Sequence, residues 1–237
     1  MRIPEKESSF LCVYKKGRKQ KRVNREVDVM ADQRYLNRKR YIDTLLSLIG
    51  LIILSPVFLI LIAAIKLDSP GPVLFKQKRV GLRKRHFNIL KFRTMRIDTP
   101  KDTPTHLLEN PDQYITKVGK FMRKTSLDEL PQIINILRGE MAVIGPRPAL
   151  WNQYDLIEER DKYHANDVLP GLTGWAQIHG RDELEIPEKA KLDGYYVEHM
   201  SHWMDLKCFF GTIFAVLRSD GVVEGGTGEM KRQGAER

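Results

Sequence analysis

"TLLSLIGLIILSPVFLILIAAI", Thr44 to Ile65, is a run of 22 residues without a charge. As one helix it would be about 33 Å long at a rise of about 1.5 Å per residue, enough to cross the hydrocarbon core of a bilayer. Apolar residues occupy nearly every position around such a helix, so a soluble core would have to wrap it on all sides, and the rest of the chain is too polar for that. More than forty residues precede the run and no small-residue cleavage site follows it, which argues against a secretory signal. The stretch therefore reads as a membrane anchor.

Ser55 and Pro56 sit in the middle of it. Proline removes an i→i−4 hydrogen bond and crowds the preceding turn, so a bend is expected there, with each arm reaching only about 17 Å. The Ser55 hydroxyl is placed to satisfy a carbonyl that the proline strands. Both flanks are cationic, with Arg38, Lys39 and Arg40 before and Lys66, Lys76, Lys78 and Arg79 after. Cations prefer the cytoplasmic side, so a re-entrant hairpin is favoured over a tilted, kinked single span. In either case the remaining body lies on one side of the membrane.

Outside the anchor, the formal charge of +10 over 237 residues is unevenly spread: residues 1–40 hold 13 Lys/Arg against 5 Asp/Glu, a net +8. The basic excess belongs to an N-terminal arm, suited to anionic headgroups or nucleic acid. Cys12 and Cys208 fit no metal or redox spacing and read as reduced thiols of a cytosol-facing protein. Six scattered histidines show no ligand pattern. The expected organisation is a basic arm over 1–37, an anchor over 38–68, a cytosolic domain over 69–220 and a disordered tail over 221–237. The expected fold is α+β and mainly helical: a Ser-Pro kinked re-entrant helix, a small α/β domain and interfacial amphipathic helices.

Within the body, a Pro/Gly turn at Ser69–Pro72 precedes a strand from Val73. "HFNILKFRTM", 86–95, alternates, which puts Lys91 and Arg93 on one side about 7 Å apart, a spacing that suits a diphosphate. A solvated strand face would look the same. Helices are expected near Ile115–Arg123, Leu130–Leu137 (stopped by Gly139) and Glu188–Met200, with a short strand at Met141–Ile144 and a structured loop over Asn166–Arg181. From Trp203 onward, Trp203, Leu206, Phe210, Ile213, Phe214 and Leu217 share one helix face, as in a core helix or one lying in the membrane interface; the anchor favours the interface.

"KTSLDELPQIINILRGEMAVIGPRP", Lys124 to Pro148, places adjacent carboxylates, Asp128 and Glu129, at a helix start. Ser126 and Glu129 match a capping box, and Pro131 suits a first turn. If Asp128 is itself the N-cap, the helix dipole keeps it ionised and favours a phosphate nearby. An ionised aspartate beside a phosphate is a competent nucleophile. Glu129 could then hold a divalent cation or accept a proton. Arg123 and Arg147 supply bidentate phosphate donors, Arg147 being stiffened by Pro146 and Pro148.

Read together, "KRYID" (40–43 with Lys39), the Ser-Pro helix, "SPGPVLFKQKRVG", "FNILKFRTM", the acidic stretch and "LPGLTGWAQIHGR" resemble the bacterial sugar transferase family, from about Arg38 to Asp220. These are monotopic phosphoglycosyl transferases, and the chain is similar to the small members. The resemblance implies transfer of a sugar-1-phosphate from a UDP-sugar to polyprenyl (undecaprenyl) phosphate, giving polyprenyl-diphosphate-sugar and UMP, as the priming step of cell-surface glycan assembly. It implies Asp128 as nucleophile through a phosphosugar-aspartyl intermediate, and Glu129 as its partner, associated with Mg²⁺. Lys91, Arg93, Arg123 and Arg147 match positions near the phosphates, and Gln177 and Arg181 lie in a loop near the nucleotide-sugar. Expected partners are inner-membrane lipids, downstream glycosyltransferases and a homodimer; no nucleic acid is expected.

Two rivals make different use of the same residues. A membrane-tethered nucleic-acid binder would explain the arm "KKGRKQKR", 15–22, and leave the acidic pair idle. A nucleotide-sugar hydrolase would use water in place of the lipid.

Overall fold

The computed structural model describes residues 5–99, 113–180 and 184–218, with side chains over 33–99, 113–180 and 184–215. The tail expected over 221–237 lies outside the described residues. The chain divides into two compact units, Met1–Ile42 and Asp43–Arg237. Helix α1 (Glu5–Asp68) forms the first and opens the second. The second unit continues with β1 (Leu74–Val80), β2 (His86–Phe92), α2 (Lys117–Lys124), α3 (Gln132–Arg138), β3 (Ala142–Ile144), α4 (Tyr154–Asp161), β4 (Gly171–Thr173), α5 (Trp175–Ile178), α6 (Ile186–Glu198) and α7 (His202–Arg218). Among the described residues the protein is mainly helical, as expected, with a long N-terminal helix that carries an apolar stretch and two small two-stranded sheets.

Among the described residues, Gln33–Asp68 is the stretch long and apolar enough to cross a membrane. Helix α1 runs on through Pro56. The carbonyl that would have received the missing proline N–H, that of Ile52, accepts the Ser55 hydroxyl at 2.7 Å, so the stranded acceptor is satisfied within the helix. Within the second unit, one side of α1 is packed: Asp43 and Ser47 are buried, a Cβ at Gly50 would lie 3.9 Å from Ile133 of α3, and Leu61 and Ile65 share a core with Phe92 and Met122. The opposite side leaves Ile52, Ile53, Leu59 and Ile60 each about two-thirds exposed. An aqueous surface that apolar is unfavourable by the transfer cost of each side chain, which a lipid phase removes.

Strands β1 and β2 form an antiparallel hairpin with Phe75 opposite Lys91 and Leu74 opposite Phe92. The outer edge of β2 is closed by a side chain. The Asn135 amide accepts from Leu90 N (2.9 Å) and donates to Asn88 O (2.9 Å), as a neighbouring strand would, while also donating to Glu140 (2.7 Å). This fully buried amide fixes β2, and with it Lys91, against α3. Leaving the buried Leu90 N–H unpaired in the interior would cost about 1–3 kcal/mol. Strands β3 and β4 pair in parallel, Ala142 with Gly171 and Ile144 with Thr173. Their approach needs glycine, since a Cβ on Gly171 would strike the Gly145 amide nitrogen.

The α2, α6 and α7 spans lie within a few residues of those read from periodicity, and Gly139 ends α3 in the left-handed region at φ 82°. Two readings need correction. Ser126 is not a helix cap: it takes a left-handed φ of 56° and its side chain makes no capping bond. Leu127–Glu129 forms a separate 3-10 turn, and Pro131 occupies the N-cap of α3. Asp128 therefore precedes α3 by a turn of its own and is not that helix's N-cap. The Asn166–Arg181 segment, expected as a loop, contains β4 and α5. Short elements of three and four residues carry no period to read.

Candidate active site

The 3-10 turn lifts two carboxylates into a cationic setting and treats them differently. Glu129 accepts from Lys91 Nζ at 2.8 Å through Oε1, and Arg147 grips it with both terminal nitrogens, Nη1 to Oε2 at 3.2 Å and Nη2 closely to Oε1. Asp128, 9% exposed, has a longer ion pair, 3.8 Å from Lys91 Nζ. Burial pushes the Asp128 carboxyl above its ordinary range; Lys91 opposes this, Glu129 adds to it, and Arg123 and Arg147 pull the other way. Burial would raise Glu129 too, but Arg147 and Lys91 outweigh it and hold that carboxyl well below the usual carboxylate range. One turn thus carries a committed anion and, beside it, a more basic one.

The remaining cations are aimed by neighbouring polar groups. Arg123, at the end of α2, donates Nε to the Thr94 hydroxyl at 2.9 Å. Helix α2 is itself fixed at its start, where Thr116 caps Gly119 N at 3.0 Å and Asp68, the last residue of α1, accepts from Val118 N at 3.0 Å. The Pro146-Arg147-Pro148 segment leaves β3 directly.

Residues 34–219 match the model of the family described as bacterial sugar transferase. The chain belongs to the bacterial sugar transferase family. It is 40% identical over 185 residues to the uncharacterized sugar transferase EpsL of Bacillus subtilis (strain 168), covering 78% of this chain and 89% of that one. It is 44% identical over 185 residues to the UDP-glucose:undecaprenyl-phosphate glucose-1-phosphate transferase of Escherichia coli (strain K12), covering 74% of this chain and 39% of that one. With the UDP-N-acetylgalactosamine-undecaprenyl-phosphate N-acetylgalactosaminephosphotransferase of Aeromonas hydrophila it shares 38% over 191 residues, 77% of this chain and 44% of that one. The chain thus spans most of EpsL and less than half of the other two.

In this sugar transferase, Lys91, Arg123, Asp128, Glu129 and Arg147 come together, whereas Arg93 goes elsewhere. Strand β2 runs to Phe92, and the pairing continues one residue further, Arg93 N bonding to Val73 O at 2.8 Å; what differs is where the Arg93 side chain finds its partners. The Arg93 guanidinium is buried against the turn after α1, donating to Pro70 O (2.6 Å), Ser69 O (2.7 Å) and Ser69 Oγ (2.9 Å). The expected pairing of Lys91 and Arg93 on one diphosphate is corrected accordingly: Arg93 ties the anchor to the sheet. Gln177, on α5, is buried beside Gly174, and neither atom of its amide has a hydrogen-bond partner among the described residues. Arg181 lies outside the described residues.

The local pattern gave no notice of Thr94, Asn135, Arg160 or Asp193. Thr94 was visible only as a strand residue, and the other three sit in helices where a charged or amide side chain ordinarily faces water.

Proposed function

We propose that this protein transfers a sugar-1-phosphate from a UDP-sugar to polyprenyl (undecaprenyl) phosphate, with Asp128 as the nucleophile. The observation that carries this is the inequality of the two carboxylates. Glu129 has its charge taken up by Lys91 and Arg147, which lowers its basicity, while Asp128 is raised by burial and only loosely paired, which makes it the better nucleophile. An Asp128 oxygen attacks the sugar-side phosphorus, and the bond from that phosphorus to the bridging oxygen breaks as UMP leaves. A phosphate oxygen of the polyprenyl acceptor then attacks the same phosphorus, releasing the Asp128 carboxylate and forming polyprenyl-diphosphate-sugar. Little covalent work falls to the protein beyond the aspartate; the rest is positioning and charge neutralisation by Lys91, Arg123 and Arg147. The Escherichia coli and Aeromonas hydrophila relatives are named for undecaprenyl phosphate with different sugars, in accord with such a reaction and with a donor sugar still to be identified.

Mg²⁺ is the proposed cofactor and Glu129 its proposed ligand. Mg²⁺ is bound through one or two carboxylates together with substrate phosphates and water; Glu129 would supply one such oxygen in exchange for a bond it now makes to Lys91 or Arg147. When bound it would neutralise charge on the donor diphosphate. A panel of radiolabelled UDP-sugars incubated with membranes tests the function: one label should become lipid-extractable with UMP released, dependent on polyprenyl phosphate. Rapid nucleotide release without that lipid would replace the transferase by a hydrolase.

We further propose that the anchor is re-entrant in the inner membrane, with the catalytic body at the cytosolic headgroup level, where a polyprenyl acceptor presents its phosphate. Support comes from the cations at both ends of the apolar run and from α7. That helix buries Met204 and Cys208 beneath Ile144 and Tyr196 and exposes Trp203, Leu206, Phe210, Ile213 and Phe214, a face suited to the interface. In oriented vesicles, Arg2→Cys should react with an impermeant maleimide from the cytosolic side alone, and brominated lipid should quench Trp203. Labelling from the opposite side would convert the anchor into a spanning helix and end the re-entrant proposal.

A further inference from the structure

The Pro146-Arg147-Pro148 segment is held by every main-chain oxygen it has. Pro146 O accepts from Gly171 N (2.9 Å), Arg147 O from Arg160 Nη1 (2.9 Å) and Pro148 O from Arg79 Nη1 (3.0 Å). Prolines at 146 and 148 offer no N–H, which leaves Arg147 as the segment's one main-chain donor and gives the carbonyls the larger share in fixing it. Arg160 stands out among the three donors. It lies on α4, 3% exposed, and its Nε and Nη2 both donate to Asp193 Oδ2 on α6, at 2.8 and 2.5 Å; Asp193 is 1% exposed. Burying such a pair is no route to stability, since apolar residues of similar volume usually serve as well. The pair instead turns a guanidinium fork so that its third arm meets the carbonyl of the residue whose side chain grips Glu129.

We propose that Arg160, oriented by Asp193, is a positioning residue that sets Arg147 for the transfer reaction. This rests on the function proposed above. Aiming a rigid cation at developing phosphoryl charge is a matter of tenths of an ångström, and a displacement of about 1 Å can cost about 10²-fold in rate.

A double-mutant cycle tests it. Arg160→Lys keeps the charge and loses the fork; it should lower kcat by about 10- to 100-fold with little change in KM for the donor. In an Arg147→Ala background the same substitution should lower kcat less than about twofold, because the residue it positions is gone. The double variant Arg160→Met/Asp193→Leu removes both charges at similar volume. It should melt near the wild-type temperature yet be as slow as Arg160→Lys, and it replaces Arg160→Lys in the cycle if that variant does not fold. Wild-type kcat in either folded variant, or an equal loss with and without Arg147, overturns the inference. If the wild-type chain itself transfers no sugar phosphate, the proposed function falls separately. The guanidinium ¹⁵N resonances of Arg147 then decide: ordered in wild type and averaged in Arg160→Lys if Arg160 positions it, unchanged if it does not.

Discussion

Asp128→Asn should abolish transfer, lowering kcat by at least about 10³-fold, the scale of removing an essential nucleophile, and it should do so without loss of stability. The second half of that expectation is the more diagnostic. Burial holds the Asp128 carboxyl above its ordinary range, so its ionised form is less favourable in the folded protein than in the unfolded chain. Such a group favours folding fully only below its unfolded pKa, and that contribution is lost as pH rises through the higher folded value. At neutral pH the ionised side chain is therefore a local liability, and the neutral isostere should melt at the same or a higher temperature. Stability set aside for function in this way is common at active sites. The same shift fixes the pH profile: transfer needs the carboxylate, so its acid limb should lie above the ordinary aspartate range. A variant that is inactive because it unfolds would count against the assignment.

Glu129→Gln should behave in the opposite sense. Here the folded pKa is depressed, because Arg147 and Lys91 overcome the effect of burial. Stability from this group is present above the unfolded pKa and lost as pH falls through the ordinary glutamate range toward the folded value. Removing the anion leaves two partly buried cations facing a neutral amide, at a cost of roughly 2–3 kcal/mol for bonds to a charged group. For a chain of this size that corresponds to a fall in Tm of roughly 5–10 °C at neutral pH. The difference from wild type should shrink in acid, where wild-type Glu129 is itself protonated. Transfer should drop by about 10²- to 10³-fold, as Arg147 and Lys91 lose the group that sets their position. Thermal melts of both variants from neutral pH into acid would check the paired signs; a stabilised Glu129→Gln would show that the clamp on Glu129 does not hold this turn together.

The long apolar helix and the acidic pair were legible because their signals are local. Twenty-two uncharged residues need no partner to be read, and Ser55-Pro56 announces both the missing hydrogen bond and the hydroxyl that repairs it. That Asp128 and Glu129 stand side by side is plain in the sequence; the separate roles proposed for them came from the family resemblance, and the N-cap register read for Asp128 is not the one the structure has. The 3-10 turn was hidden by two valid cap signals that pointed to an α-helix in different registers, and neither prevailed. Arg93 was misplaced because alternation does not reveal partners far away in sequence: its guanidinium is taken up by the Ser69 and Pro70 carbonyls. The Arg160–Asp193 pair was invisible for a different reason: its members are 33 residues apart on polar-looking helices, and only packing α4 against α6 removes them from water. Asn135 had the same disguise, an amide inside a helix whose partners lie on a strand 45 residues earlier.

The most direct measurement of the central claim is intact-protein and peptide mass spectrometry of enzyme mixed with its UDP-sugar, without lipid acceptor, and quenched in acid. The account predicts a mass increase of one sugar phosphate on the peptide carrying Asp128, discharged when polyprenyl phosphate is added and absent from Asp128→Asn. Product forming with acceptor present while no such adduct is ever seen, or an adduct that persists in Asp128→Asn, would contradict it.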